Sequence, residues 1–118
     1  MTDNILVRSI VEGMQEKKAK KIVVVDLTKF QNSGCSYFVI CEGDSNTHVG
    51  SISRSIKSYV REHAKSRPAA IDGLLNAEWV AMDYMQVIVH VFQREPRAFY
   101  DIEHLWADAD ITEVPDLD

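Results

Sequence analysis

The segment Trp79 to Phe92, WVAMDYMQVIVHVF, constrains the fold more than any other. Its apolar residues alternate, pause around Tyr84 and Met85, and alternate again, which predicts an antiparallel hairpin with strands over 78–83 and 86–92. If Asp83 pairs with Gln86, one face carries Val80, Met82, Val87, Val89 and Val91, a pure core surface. The other carries Trp79, Ala81, Asp83, Gln86, Ile88, His90 and Phe92. Large aromatics mixed with a few polar groups are typical of an interface centre. Periodicity leaves open whether a partner or a helix covers that second face. A two-residue Tyr84–Met85 turn would need positive φ, which neither residue favours, so a wider turn would shift the register.

The hairpin sits in a mixed α/β pattern. Leu6, Val7, Ile10, Val11 and Met14 form the stripe of a helix over 4–16, capped by Asp3 or Asn4. Ile22 to Val25 is a β-branched run that predicts a buried strand, and Tyr37 to Cys41 a second. Gly43, Asp44 and Ser45 end that strand and cap a helix over 46–64, with Val49, Ile52, Ile56, Tyr59, Val60 and His63 on one face. Pro68 and Gly73 break the loop that follows, with a short strand near Ala70 and Ile71. Pro96 marks the first turn of a last helix, whose packed side would be Phe99, Ile102, Leu105 and Trp106. The predicted order is α-β-β-α-β-β-α, an α/β (α+β) domain with a mixed sheet of four to five strands flanked by helices. A single domain is expected over 1–110, followed by an acidic tail over 111–118.

Charge and chemistry narrow the functions. The chain has 118 residues and a net charge of -5, which disfavours non-specific nucleic-acid binding. After Arg97 no lysine or arginine occurs, and Asp101, Glu103, Asp108, Asp110, Glu113, Asp116 and Asp118 are either solubilising or steer a basic partner. Arg54, Lys57, Arg61 and Lys65 read as the wet face of the long helix, with contact to RNA phosphates as the sharper alternative, and Lys17 to Lys21 offer the same choice. Cys35 and Cys41 are too poorly placed for a disulfide, which predicts reduced thiols and a cytoplasmic protein. No apolar run is long enough to cross a membrane, and no secretory or transit segment is expected.

No catalytic constellation stands out. His48, His63, His90 and His104 lack metal-ligand spacing with the cysteines, and neither a Walker loop nor GxGxxG is present. Ser45 is better explained as a helix cap than as a phosphate site. Asp26 and Asp83 fall at strand ends, where paired carboxylates can hold a divalent metal, or simply form turns. No metal, cofactor or small-molecule substrate is expected.

The run SYFVICEGDS (Ser36 to Ser45), Trp79, MDY (Met82 to Tyr84), VIVHVF (Val87 to Phe92) and FYDIEHLWADA (Phe99 to Ala109) resemble the ribosomal silencing factor family, also called Iojap, across residues 5–110. The resemblance implies a non-enzymatic repressor of translation under nutrient limitation. It would bind the large ribosomal subunit through the basic protein L-fourteen and so block joining of the small subunit; the sequence leaves open whether the positive helix face also touches adjacent ribosomal RNA. It also implies a nucleotidyltransferase-like fold without the active-site acids, and homodimers. On the hairpin, Trp79, Tyr84 and Phe92 would be aromatic anchors, Asp83 would meet a partner lysine or arginine, and His90 would add a polar contact. Met85 at the turn and Tyr100 in the last motif complete the expected partner-binding set. Ser36 stands where the family commonly has aspartate, and Met85 and Gln86 where it tends to have Gly-Asp. The rival readings are a nucleotidyltransferase-fold protein binding nucleotide and metal, and an RNA-binding module.

Overall fold

The structure is a computed structural model that describes residues 4–30, 32–106 and 108–117. Asn4 caps the first helix, α1 (Ile5–Glu16): its carboxamide oxygen accepts from the Leu6 and Val7 amides at 3.0 and 3.1 Å. Asp3, the other expected cap, lies outside the described residues. Strands β1 (Lys20–Asp26) and β2 (Tyr37–Gly43) follow. Ser45 then caps α2 (Asn46–Ala64) by accepting from the His48 amide. Next come β3 (Ala70–Asp72), β4 (Trp79–Asp83), β5 (Val87–Gln93) and α3 (Arg94–Tyr100). A 3-10 turn over Ile102–His104 leads to β6 (Asp110–Val114).

The six strands form one sheet in the order β3-β4-β5-β2-β1-β6. Only β2 and β5 are parallel, joined by a crossover that contains α2. The sheet thus has six strands rather than four or five. Residues 110–114, which run into the acidic tail expected over 111–118, pair with β1 from Ile22↔Val114 to Asp26↔Asp110. Acidic, mostly exposed side chains hide this strand from hydropathy because an edge strand needs only backbone partners and a few apolar contacts.

Helices α1 and α2 cover one face of the sheet. Val7, Ile10 and Met14 from α1 and Ile52, Ile56 and Val60 from α2 meet Val80, Met82, Val87, Val89 and Val91, all fully buried. Gly13 sets the spacing between the helices. A Cβ there would lie 3.0 Å from the Ile56 Cα and 3.2 Å from the Tyr59 Cβ, and the Ser55 hydroxyl donates to the Gly13 carbonyl at 2.7 Å. The opposite face holds a smaller core of Val23, Val25, Leu27, Ile40, Phe92 and Ile102, backed by Phe30, Phe38, Trp79 and Trp106. The run Ile22 to Val25 is therefore buried on both sides, as a continuous apolar strand requires.

The hairpin register differs from expectation by two residues. Asp83 pairs with Ile88 and Trp79 with Phe92, not with Gln86 and His90. The turn is wider: Met85 takes φ +73°, the Tyr84 amide donates to the Val87 carbonyl, and the Asp83 carboxylate accepts from the Met85 amide at 2.7 Å. Because side chains alternate with period two, a two-residue shift keeps both faces as predicted.

The last helix also departs from expectation. α3 ends at Tyr100, and Asp101 adopts φ +47°. That left-handed residue re-aims the chain, so helical phase is lost after it. Ile102 and Trp106 still pack inward, but Phe99 is 79% and Leu105 66% exposed.

Arg97 fastens this corner to the sheet. It is buried, and its Nε and Nη2 donate to the two carboxylate oxygens of Glu103 at 3.0 and 3.3 Å. Nη1 donates to the Glu42 carboxylate on β2 at 3.2 Å and to the Lys21 carbonyl on β1 at 2.6 Å. β1 shifts register between Lys20 and Val23, and Lys21 takes φ +51° there. Removing one member of a buried ion cluster strands the others without a counter-charge. Arg97→Ala should lower stability by about 3 kcal/mol or more, read as a shift of the urea midpoint.

Candidate functional site

On the face of the sheet away from α1 and α2, aromatic rings step from the interior to the surface. Phe92 is fully buried and stacks on half-buried Trp79, with ring centroids 4.9 Å apart. Tyr100, half exposed, packs on Trp79 at 4.8 Å, and exposed Phe99 meets Tyr100 edge-on at 5.1 Å. Half-buried Phe38, Ala81 and Ile88 continue the apolar surface across β2, β4 and β5. Burial of the inner rings holds the outer ones in place, so Phe99 and Tyr100 are presented on a rigid base. Rigid aromatics lose little entropy on binding, which suits a docking surface.

His90 belongs to this face and is buried. The Trp79 indole Nε1 donates to its Nδ1 at 3.0 Å, and Phe38 packs against its ring at 5.1 Å. Indole nitrogen can only donate, so the imidazole is neutral with its proton on Nε2. That Nε2 is buried and finds no partner among the described residues. Burial lowers the His90 pKa to about 4.

The expected partner-binding residues separate into three groups. Trp79, His90, Phe92 and Tyr100 come together, but Phe92 and His90 are interior, supporting the surface from beneath rather than forming it. Asp83 and Met85 lie at the other end of the hairpin, where Met85 is 68% exposed and the Asp83 carboxylate already accepts from its amide. Tyr84 is not an anchor on this face: it packs into the core beneath α1 and α2 and is 5% exposed. Two residues of like orientation cannot be neighbours in a strand, so with Asp83 on the aromatic face Tyr84 points to the other. Its buried hydroxyl has no partner among the described residues, and burial pushes its pKa up to about 12. Sequence reasoning missed Phe99 and Phe38 as surface residues. Phe38 was legible, since alternation along β2 puts it beside Ile40 on the aromatic face, whereas Phe99 depends on the break at Asp101.

The paired-carboxylate reading does not survive the topology. Asp26 ends β1 and Asp83 ends β4, with β2 and β5 between them, a separation of about 14 Å at the usual strand spacing. Neighbouring Val25 faces the aromatic side, which turns Asp26 to the other, away from Asp83. Each is engaged locally, Asp26 accepting from the Thr28 amide and hydroxyl at 2.9 and 2.6 Å. Among the described residues no group of three His, Cys, Asp or Glu side chains is placed to hold a metal.

His90 gives this face a pH signature. The unfolded chain takes up a proton near pH 6.5, while the folded chain resists until about pH 4. Protons therefore favour unfolding across that interval, and the His90 contribution to stability falls as pH drops through it, by up to about 3 kcal/mol. Urea titrations at pH 7 and pH 4 should show His90→Gln losing less stability on acidification than the wild type.

Comparison with known proteins agrees with this architecture. The family described as ribosomal silencing factor during starvation matches residues 2–118. The chain is 32% identical to the ribosomal silencing factor of Halalkalibacterium halodurans, over 97% of this chain and 96% of that protein. It is 30% identical to the Bacillus subtilis ribosomal silencing factor, over 97% of this chain and 95% of that protein. A crystal structure of a Chromobacterium violaceum protein superposes with a TM-score of 0.83 at 30% identity, covering 91% of this chain and 88% of that one. Matched along almost its whole length in sequence and in fold, the chain belongs to the ribosomal silencing factor family.

Proposed function

We propose that this protein represses translation by docking on the large ribosomal subunit through the aromatic face, so that its bulk blocks the approach of the small subunit. The observation that carries this reading is the sequence of stacked rings from Phe92 through Trp79 to Tyr100 and Phe99 on the side of the sheet that α1 and α2 leave uncovered. The large-subunit protein L-fourteen is the proposed contact. Its basic character suits the acidic residues that dominate the chain beyond Arg97. No catalytic step is part of the mechanism, since occupying the joining surface is sufficient. A cytoplasmic location belongs to the same proposal; among the described residues no helix is long and apolar enough to cross a membrane. Homodimer formation enters the same proposal as a competing use of the exposed rings: a second copy would shield them until the ribosomal surface displaces it.

Co-sedimentation with purified large subunits tests the proposal. Phe99→Ser with Tyr100→Ser changes two exposed side chains, so the fold is retained, and affinity should drop about thirtyfold, equivalent to about 2 kcal/mol. Wild-type protein that fails to sediment with the subunit would refute ribosome docking. A double variant that binds as tightly as wild type would refute the aromatic face.

A further inference from the structure

A second surface lies around the edge of the sheet from the aromatic face. Lys57 and Arg61 project from the flank of α2 that overhangs β3, one helical turn apart, and Arg67 joins them from the loop after α2. Together they line a groove of about 480 Å³ whose floor is Pro68, Ala69, Ala70 and Ile71. All three cations are exposed, and none makes an ion pair among the described residues. Among the described residues no carboxylate lines the groove, in a chain whose net charge is -5. Concentrating unpaired positive charge there, against the overall sign of the protein, costs self-repulsion that an anionic occupant would relieve.

We propose that this groove holds the phosphodiester backbone of RNA, so that Lys57, Arg61 and Arg67 clamp ribosomal RNA beside the protein contact. The assignment rests on the large-subunit reading above and adds a contact to it. Charge complementarity selects an anion, and the shape of the groove selects its class. An acidic peptide would bind by adding a strand to β3, which among the described residues pairs with β4 alone and has no strand on its other side. That edge is poorly suited to strand addition: β3 has three residues and Pro68 stands just before it. A phosphate backbone needs no such strand pairing. The floor also lacks an aromatic ring on which a base could stack, so recognition is of backbone and shape, not of sequence.

The test is a salt series of binding to purified large subunits, comparing wild type with the triple variant Lys57→Gln, Arg61→Gln and Arg67→Gln. Loss of three phosphate contacts should weaken binding about tenfold or more and flatten the slope of log affinity against log salt by about 2. The same slope for both proteins overturns the inference while leaving ribosome docking intact. Failure of the wild type to bind overturns the docking reading, and this inference with it. A photo-crosslinking residue at position 61 separates the occupants in the subunit complex: crosslinks to ribosomal RNA support the clamp, and crosslinks confined to protein assign the groove to a peptide and overturn it.

Discussion

One guanidinium ties the end of the chain to the sheet. Arg97 reaches the backbone of β1 through the Lys21 carbonyl, β2 through Glu42, and the turn after α3 through Glu103. The planar, forked donor set of arginine suits this bidentate pairing with Glu103, and a lysine would reproduce only its charge. Its consequence lies several ångströms away. α3 is too short to hold its position by packing alone, since only Arg97 in it is buried. The ion cluster therefore fixes the helix whose last two residues, Phe99 and Tyr100, carry the outer rings of the aromatic face. The glutamate in the motif YDIEHLW is a structural partner of that arginine, although among the acidic residues after Arg97 it read as solubilising or as steering a basic partner.

Local physics was legible where it repeats. The span of α2 follows from its apolar spacing and from Ser45, and both faces of the hairpin follow from alternation, because each depends only on neighbours in sequence. Three features depend on something else. The hairpin register depends on Met85 accepting a positive φ, a cost that the Asp83 carboxylate offsets by holding the Met85 amide. The orientation of Phe99 depends on the left-handed turn at Asp101, which no spacing rule reveals. β6 depends on a vacant edge of β1, which exists only once the sheet has formed. In the candidate site, the inward and outward residues of β4 and β5 were readable, but Tyr84 follows the end of β4, where alternation assigns no face, and only the packing of the turn shows that it enters the core. The aromatic composition of this face was legible from alternation. Burial divides it into a foundation of Phe92 and His90 and a surface of Tyr100 and Phe99.

The two faces of the sheet solve different problems. Beneath α1 and α2, Val, Ile and Met side chains close-pack, and Gly13 lets the helices approach. On the other face rings join the aliphatic residues Val23, Val25, Leu27, Ile40 and Ile102, with a neutral imidazole between an indole and a phenyl group. A core of that kind can end in half-exposed rings without losing its order, because each ring rests on one more deeply buried. Charge is divided between regions as well: carboxylates dominate the chain beyond Arg97, while Lys57, Arg61 and Arg67 gather beside the flank of α2.

β6 also acts as a guard. Its backbone occupies the side of β1 that would otherwise be bare, while Asp110, Glu113 and nearby Asp116 face solvent, and the Asp116 carboxylate accepts from the Lys21 amide at 2.8 Å. Without it, the run from Ile22 to Val25 would present an uncharged, β-branched ladder to any other extended chain. The acidic residues that look like a solubilising appendage protect solubility in a second way, by filling a hydrogen-bonding vacancy. Loss of this segment's pairing, by proteolysis for example, would leave a chain with most of its core intact and a template for self-assembly along its flank.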